Sequence, residues 1–253
     1  MNKEKNKKIL FIKRILNTFF SPKIHGHFKN GKGFEVDTKP SRLRLIYHKI
    51  TSRIWFFPSM YLSKFWVGAE KDGDRGYTTF MEIDDKALFL IENLQGLIDK
   101  KNMPILDIGC NVGRFLNVLA KDGCTNLTGI DINKLAINDS YNVYPELIDK
   151  ADMQCTTIQE FLSSSKDNAF NLIYTYGATV ELVHPTFPLV KHLARVSKRY
   201  VCLFISENQS YVRFWEIEFK RQRFELLIKA PYCYRNHSGN CDQVLYIFRK
   251  SSA

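Results

Sequence analysis

Leu106-Asp107-Ile108-Gly109-Cys110-Asn111-Val112-Gly113-Arg114-Phe115 is a short apolar run that breaks into glycines and then into a helix. Pro104-Ile105-Leu106 reads as a buried strand, and Phe115-Leu116-Asn117-Val118-Leu119-Ala120 restarts apolar spacing at a helical period. The join is therefore a strand, a tight turn and a helix N-terminus. Glycines let a backbone approach a ligand with no Cβ in the way, and the first amides of a helix are available to an acceptor. Such a loop suits a nucleotide-like ligand. The spacing is not G-x-G-x-x-G, and no Gly-Lys-Ser/Thr follows, which excludes the dinucleotide fingerprint and the P-loop.

A second landmark follows. Leu127-Thr128-Gly129-Ile130 is another apolar run and ends in Asp131, 22 residues beyond Gly109. In βαβ nucleotide sites an acid about 20 residues past the glycine loop sits at the tip of the second strand, where it accepts from the ribose hydroxyls. Asp131 fits that place. It also fits an N-cap for a helix starting near Lys134, and the two readings are compatible.

Together these residues resemble the first two motifs of the class I S-adenosylmethionine-dependent methyltransferases, the first written acid-x-Gly-x-Gly-x-Gly. Asp107, Gly109 and Gly113 match, and Asn111 stands at the middle glycine; Asn tolerates left-handed backbone angles better than most residues. The resemblance spans roughly Phe80 to Lys250. It implies S-adenosylmethionine as cofactor, held by Asp107, Gly109, Asn111, Gly113 and Asp131, with Thr157 and Ile158 against the adenine and Tyr174 in the fourth strand also assigned to the cofactor. Tyr174-Thr175-Tyr176-Gly177 running to Val183-His184-Pro185, and Ser197 to Glu207, are loosely similar to the branch that serves bacterial polysaccharide and sugar clusters.

With 253 residues, 45% hydrophobic and 25% charged, the chain has room for one α/β domain with an appendage. No apolar run approaches the ~18 residues of a membrane span, and Ile9 to Phe20, interrupted by Lys13-Arg14, lacks the features of a signal peptide. Six cysteines form no C-x-x-C pair and share no metal spacing with the six histidines, so a reduced, cytoplasmic setting without zinc is expected. Net charge is +11, and its placement is uneven. Residues 1–69 hold fifteen Lys/Arg against three Asp/Glu, a balance of +12; the remaining residues come to −1.

Three regions are expected: a basic amphipathic helix and linker (1–40), a basic aromatic cap segment (41–78) and the cofactor-binding domain (79–253). Ile9, Phe11, Ile12, Ile15, Leu16, Phe19 and Phe20 project to one side of a helix with Lys13 and Arg14 opposite. Such a helix either lies on an anionic membrane face or packs on its own domain. Residues 21–40 show no periodicity and read as a linker. Between Arg42 and Trp66, Trp55, Phe56, Phe57, Tyr61 and Phe65 alternate with Arg44, Lys49, Arg53 and Lys64, a pattern suited to stacking bases and neutralising phosphates, or to capping a cleft.

Downstream, a long helix is expected over Thr79–Lys100, with Asp84-Asp85 in a dipole-favoured first turn. Further helices are expected over Lys134–Asn142, Leu189–Ser197 and Ser210–Arg223. Strands are expected near Asp152–Thr156, Phe170–Gly177 and Tyr200–Ser206, with a final antiparallel pair near Phe224–Ala230 and Gln243–Arg249. Alternation of strand and helix from 104 to 206 gives a doubly wound, Rossmann-like sheet of seven strands, mostly parallel.

Methyl transfer to oxygen requires a base, whereas many nitrogen acceptors need none. Many relatives in the resembled family carry Leu-Glu-His after the fourth strand; here the segment reads Val180-Glu181-Leu182, leaving Glu181 and His184 as the nearest candidate bases, with Glu207 at the tip of the fifth strand and Tyr176 behind them. Glu181 as a backbone cap and His184 as a helix-entry residue are their structural alternatives. Three functions compete: a methyltransferase for a hydroxyl or carboxyl of a small molecule or glycan, an RNA methyltransferase gripping its substrate with the basic block, and a non-catalytic binding module on the same fold. The near-neutral balance beyond residue 69 and the absence of an Asn/Asp-Pro-Pro-aromatic motif count against the second.

Overall fold

The structure is a computed structural model of the chain and describes residues 26–28, 34–36, 71–72, 76–177, 179–180, 183, 187–205, 213–233 and 241–251. Two compact units divide it, Met1–Pro40 and Ser41–Ala253. In the first, β1 (Gly26–Phe28) pairs antiparallel with β2 (Phe34–Val36), so part of the segment read as a linker is a two-stranded ladder. The helix expected over Ile9–Phe20 and the basic aromatic block of 42–66 lie outside the described residues.

The second unit is built on a seven-stranded sheet. Its strands are β3 (Ile105–Ile108), β4 (Leu127–Asp131), β5 (Ala151–Cys155), β6 (Phe170–Tyr176), β7 (Ser197–Ile205), β8 (Phe224–Cys233) and β9 (Cys241–Lys250). They lie in the order β5-β4-β3-β6-β7-β9-β8. The five strands from β5 to β7 are parallel, whereas β9 runs antiparallel to both β7 and β8. Between and before them lie α1 (Asp85–Gln95), α2 (Arg114–Lys121), α3 (Lys134–Val143), α4 (Ile158–Ser164), α5 (Leu189–Val196) and α6 (Trp215–Arg221). Strand order reverses at β3, and in open α/β sheets a ligand crevice opens beyond the carboxyl ends of the strands at that point.

Side-chain alternation puts one set of residues on each face. Leu172, Tyr174, Tyr200, Cys202 and Phe204 join one buried cluster with α1 and α2, while Ile173, Val201, Leu203 and Ile205 join the other with α4, α5 and α6. Both faces are covered, which explains why β7 reads as an almost unbroken apolar run.

The helix expected over Thr79–Lys100 is shorter. Tyr77–Phe80 forms a single 3-10 turn, and α1 begins only after Asp84, whose carboxylate accepts from the Ala87 amide at 2.8 Å. Capping by Asp84 wins over continuing the helical period through it. Ala87, Leu90, Ile91 and Leu94 are buried, while Leu88 faces outward. The turn is tied to the sheet unit by Tyr77, whose buried hydroxyl donates to Asp139 on α3 at 2.6 Å. Burial, reinforced by that carboxylate, pushes the phenol up to about 12. Replacing Tyr77 by Phe removes the bond without opening a cavity and is expected to cost about 1–2 kcal/mol, read as a lower thermal midpoint. An unchanged midpoint would show that the contact contributes nothing.

Among the described residues no helix is long and apolar enough to cross a membrane, and no group of three or more His, Cys, Asp or Glu is placed to hold a metal ion.

Candidate cofactor site

A cavity of about 340 Å³ opens beyond the ends of β3, β4 and β6. Its floor is the glycine loop. Gly109, Asn111 and Gly113 take left-handed backbone angles, φ 78°, 54° and 87°. Asn111 adopts the conformation for which glycine is usual, and its own Oδ1 accepts from the Val112 amide at 2.8 Å, a local bond that favours Asn there. At Gly109 a Cβ would lie 2.4 Å from Thr179 Oγ1, so this position admits only glycine while Thr179 leans over the loop.

The loop's own amides are spent internally. Gly109 and Cys110 both donate to the Ile130 carbonyl at the end of β4, at 2.8 and 3.0 Å, and Gly113 donates to Cys110 at 2.8 Å. The Asn111 amide donates to Asp131 Oδ2 at 2.9 Å, and the Asn133 amide to Asp131 Oδ1 at 2.8 Å. The glycines therefore serve close backbone approach. Asp131 latches the loop of β3 to the start of α3. The N-cap of α3 is Asn133, which accepts from Leu135 and Ala136, so Asp131 is not the cap. Burial raises the Asp131 carboxyl above its ordinary range, opposed by the backbone donors of Asn133, Asn111 and Ile132. A carboxylate has about four acceptor positions, so capacity for a ligand hydroxyl remains.

At the other end, Thr157 caps α4 in a reciprocal pair with Glu160, and Thr156, Thr157 and Ile158 form the wall. Opposite them stand Phe80, Arg114, Tyr176, Thr179 and Val183. The Arg114 guanidinium lies 4.5 Å from the centre of the Phe115 ring and 5.0 Å from that of Tyr176, and it donates to the Glu82 carbonyl just before α1.

Of the residues expected to hold the cofactor, Gly109, Asn111, Asp131, Thr157 and Ile158 line the cavity. Gly113 does not; its Cβ position is closed by Leu147 and Met153 at 3.0 and 3.1 Å. Asp107 lies beneath the floor, 1% exposed. Tyr174 is a correction: it is fully buried against Phe115 in the core between sheet and helices, and Tyr176, one step nearer the end of β6, occupies the wall in its place. Glu181 and His184 lie outside the described residues, although Val183 between them is buried on the wall. Sequence reasoning passed over Phe80, Arg114, Thr179 and Val183, and took Tyr176 only as a more distant candidate base. Only Arg114, directly after Gly113, carried a local signal.

The family model described as a methyltransferase domain matches residues 105–199, from the first residue of β3 into β7. Residues 105–199, 95 of the 253, resemble a methyltransferase domain. EEF1A lysine methyltransferase 2 of Danio rerio is 37% identical over 101 residues, which cover 36% of this chain and 42% of that protein. The chain thus spans about two fifths of the length of this curated relative. Among solved structures, a TehB-like SAM-dependent methyltransferase from Corynebacterium glutamicum superposes with TM-score 0.51 at 17% identity, covering 64% of this chain and 86% of the other. Magnesium protoporphyrin IX methyltransferase from Synechocystis, with S-adenosylmethionine bound, gives 0.51 at 14% identity over 81% of this chain and 97% of the other. The cyclase SpnF gives 0.56 at 12% identity over 84% and 96%. These structures share the fold.

The match of residues 105–199 to a methyltransferase domain implies S-adenosylmethionine as the ligand of this cavity. The residues present fit it: a glycine floor that a Cβ would obstruct, a half-enclosed carboxylate at the tip of β4, and an apolar shelf at Ile158.

Proposed function

We propose that the chain is an S-adenosylmethionine-dependent methyltransferase acting on a hydroxyl or carboxyl group of a small molecule or glycan. The observation that carries this reading is the cavity wall. Among its described residues the charged groups are Asp131, assigned to the cofactor's ribose, and Arg114. A fixed guanidinium beside the acceptor space favours a neutral or anionic acceptor. It disfavours the ammonium of a lysine side chain, which must also lose a proton before it can react. The cofactor supplies an electrophilic methyl carbon on a sulfonium. What remains for the protein is to hold the acceptor oxygen in line, exclude water and take the proton. Phe80, Tyr176 and Val183 supply the apolar enclosure, and Glu181 and His184, flanking Val183 in the chain, are the proposed bases.

A second reading has a specific observation behind it. The curated relative is named as a protein lysine methyltransferase, so a lysine acceptor is the alternative. Fold alone does not choose, since SpnF is a cyclase on this architecture. Incubation with methyl-labelled S-adenosylmethionine decides between them. Label recovered in carboxylated or hydroxylated saccharides and metabolites supports the first reading; label recovered only in protein lysine overturns it.

The basic excess of residues 1–69 supports a further proposal, reversible contact with an anionic membrane face. The full chain is then expected to sediment with anionic vesicles at low salt and to lose this when residues 1–20 are deleted. Absence of sedimentation would exclude it.

A further inference from the structure

We propose that Asp107 is neutral in the free protein and gives up its proton when the cationic cofactor binds, so that cofactor binding is coupled to proton release. The inference rests on the cofactor reading above. Its basis is a buried polar pair that the binding machinery leaves unsatisfied.

Asp107 and Tyr174 are register partners across β3 and β6, and both side chains are enclosed, at 1% and 0% exposure. Neither Asp107 Oδ2 nor the Tyr174 hydroxyl has an aligned hydrogen-bond partner. An ionised carboxylate in that state is costly, because burial without compensating donors penalises the charged form. The groups that act on Asp107 come from every neighbouring element. Tyr174 on β6 lies close enough to favour the charged form, and so does the Arg114 guanidinium on α2; Asp131 on β4 opposes it, and the buried thiol of Cys110 is the neighbour in the loop. Behind Tyr174 lies Cys202 on β7, also buried. Burial dominates and pushes the carboxyl up to about 8, so that the protonated form is the favoured one at neutral pH.

Two of these neighbours, Asp131 and Arg114, stand on the cavity wall, and Cys110 is part of its floor. The field at Asp107 is therefore set partly from the cavity. A ligand bearing a sulfonium and an ammonium group adds positive charge there and favours the carboxylate. The Asp107 O–H bond breaks, its electron pair stays on oxygen, and the proton passes to the buffer. Because protonation competes with the cation, affinity is expected to rise about tenfold from pH 6 to pH 7 and to level off above pH 8.

The test is calorimetric titration of the full chain with S-adenosylmethionine at pH 7, in buffers of different ionisation enthalpy. The slope of heat against buffer enthalpy counts the protons released. Wild type is expected to release nearly one proton more than Asp107→Asn, a difference in which the ligand's own titration cancels. Equal release by the two proteins overturns the proposal. Should Asp107→Asn fail to fold or bind, Tyr174→Phe keeps the carboxyl and removes a group that favours its ionisation. It is expected to carry the proton release to higher pH, and an unchanged profile between pH 7 and pH 9 overturns the proposal. Absence of binding by wild type defeats the cofactor reading itself, an outcome distinct from binding without proton release.

Discussion

Asp131→Ala is expected to weaken binding of S-adenosylmethionine by tenfold to more than a hundredfold. The carboxylate sits at the tip of β4 on the cavity wall, where it accepts from the amides of Asn111 and Asn133 and keeps acceptor positions for a ribose. Loss of a charge-assisted contact to a ligand hydroxyl corresponds to about 1.5–3 kcal/mol. Alanine also leaves the Asn111 amide without its partner, so the left-handed turn at φ 54° loses one of its restraints. Asp131→Asn separates the two contributions, since it keeps an oxygen for one amide and removes the charge. An intermediate affinity for Asn and a lower one for Ala, measured by calorimetry, is the expected order. Wild-type affinity in both variants would remove Asp131 from the cofactor site.

The larger effect is expected at the proposed bases. If the acceptor is an oxygen, replacing the operative one of Glu181 and His184 by alanine lowers turnover by about 10²–10⁴-fold while cofactor affinity stays near wild type. The motive is chain position: Val183 is 3% exposed and lines the cavity, and Glu181 and His184 lie within two residues of it in the sequence. Turnover with the identified acceptor and calorimetry with the cofactor together distinguish a lost base from a lost site. Near-normal turnover in both single variants and in the double variant would exclude both residues. It would point instead to an acceptor that needs no protein base.

What was legible in the sequence was the part governed by short-range rules. The strand, turn and helix around Gly109 follow from a change of apolar period. The left-handed angle at Asn111 follows from the few residue types that tolerate it, and the position of Asp131 follows from the length of one βαβ unit. What was not legible depended on where elements end and what they meet. Tyr174 and Tyr176 share one face of β6, and only the point at which that strand emerges from under α1 and α2 decides that Tyr176 reaches the cavity and Tyr174 does not. The apolar stripe of α1 runs back toward Thr79 without a break, yet the Asp84 side chain closes the helix by competing for the Ala87 amide. Nor does composition disclose that Ile130 and Asp131 already consume the loop's amides, because that requires β3 and β4 to be in register. Likewise, β9 is inserted between β7 and β8 although β8 comes first in the chain, an order imposed by pairing across the whole sheet.

The most direct test of the cofactor site is titration of the purified full chain with S-adenosylmethionine and with its demethylated product. Saturable one-to-one binding of both, weakened by Asp131→Ala, is the expected result. No detectable binding of either ligand at millimolar concentration would contradict it.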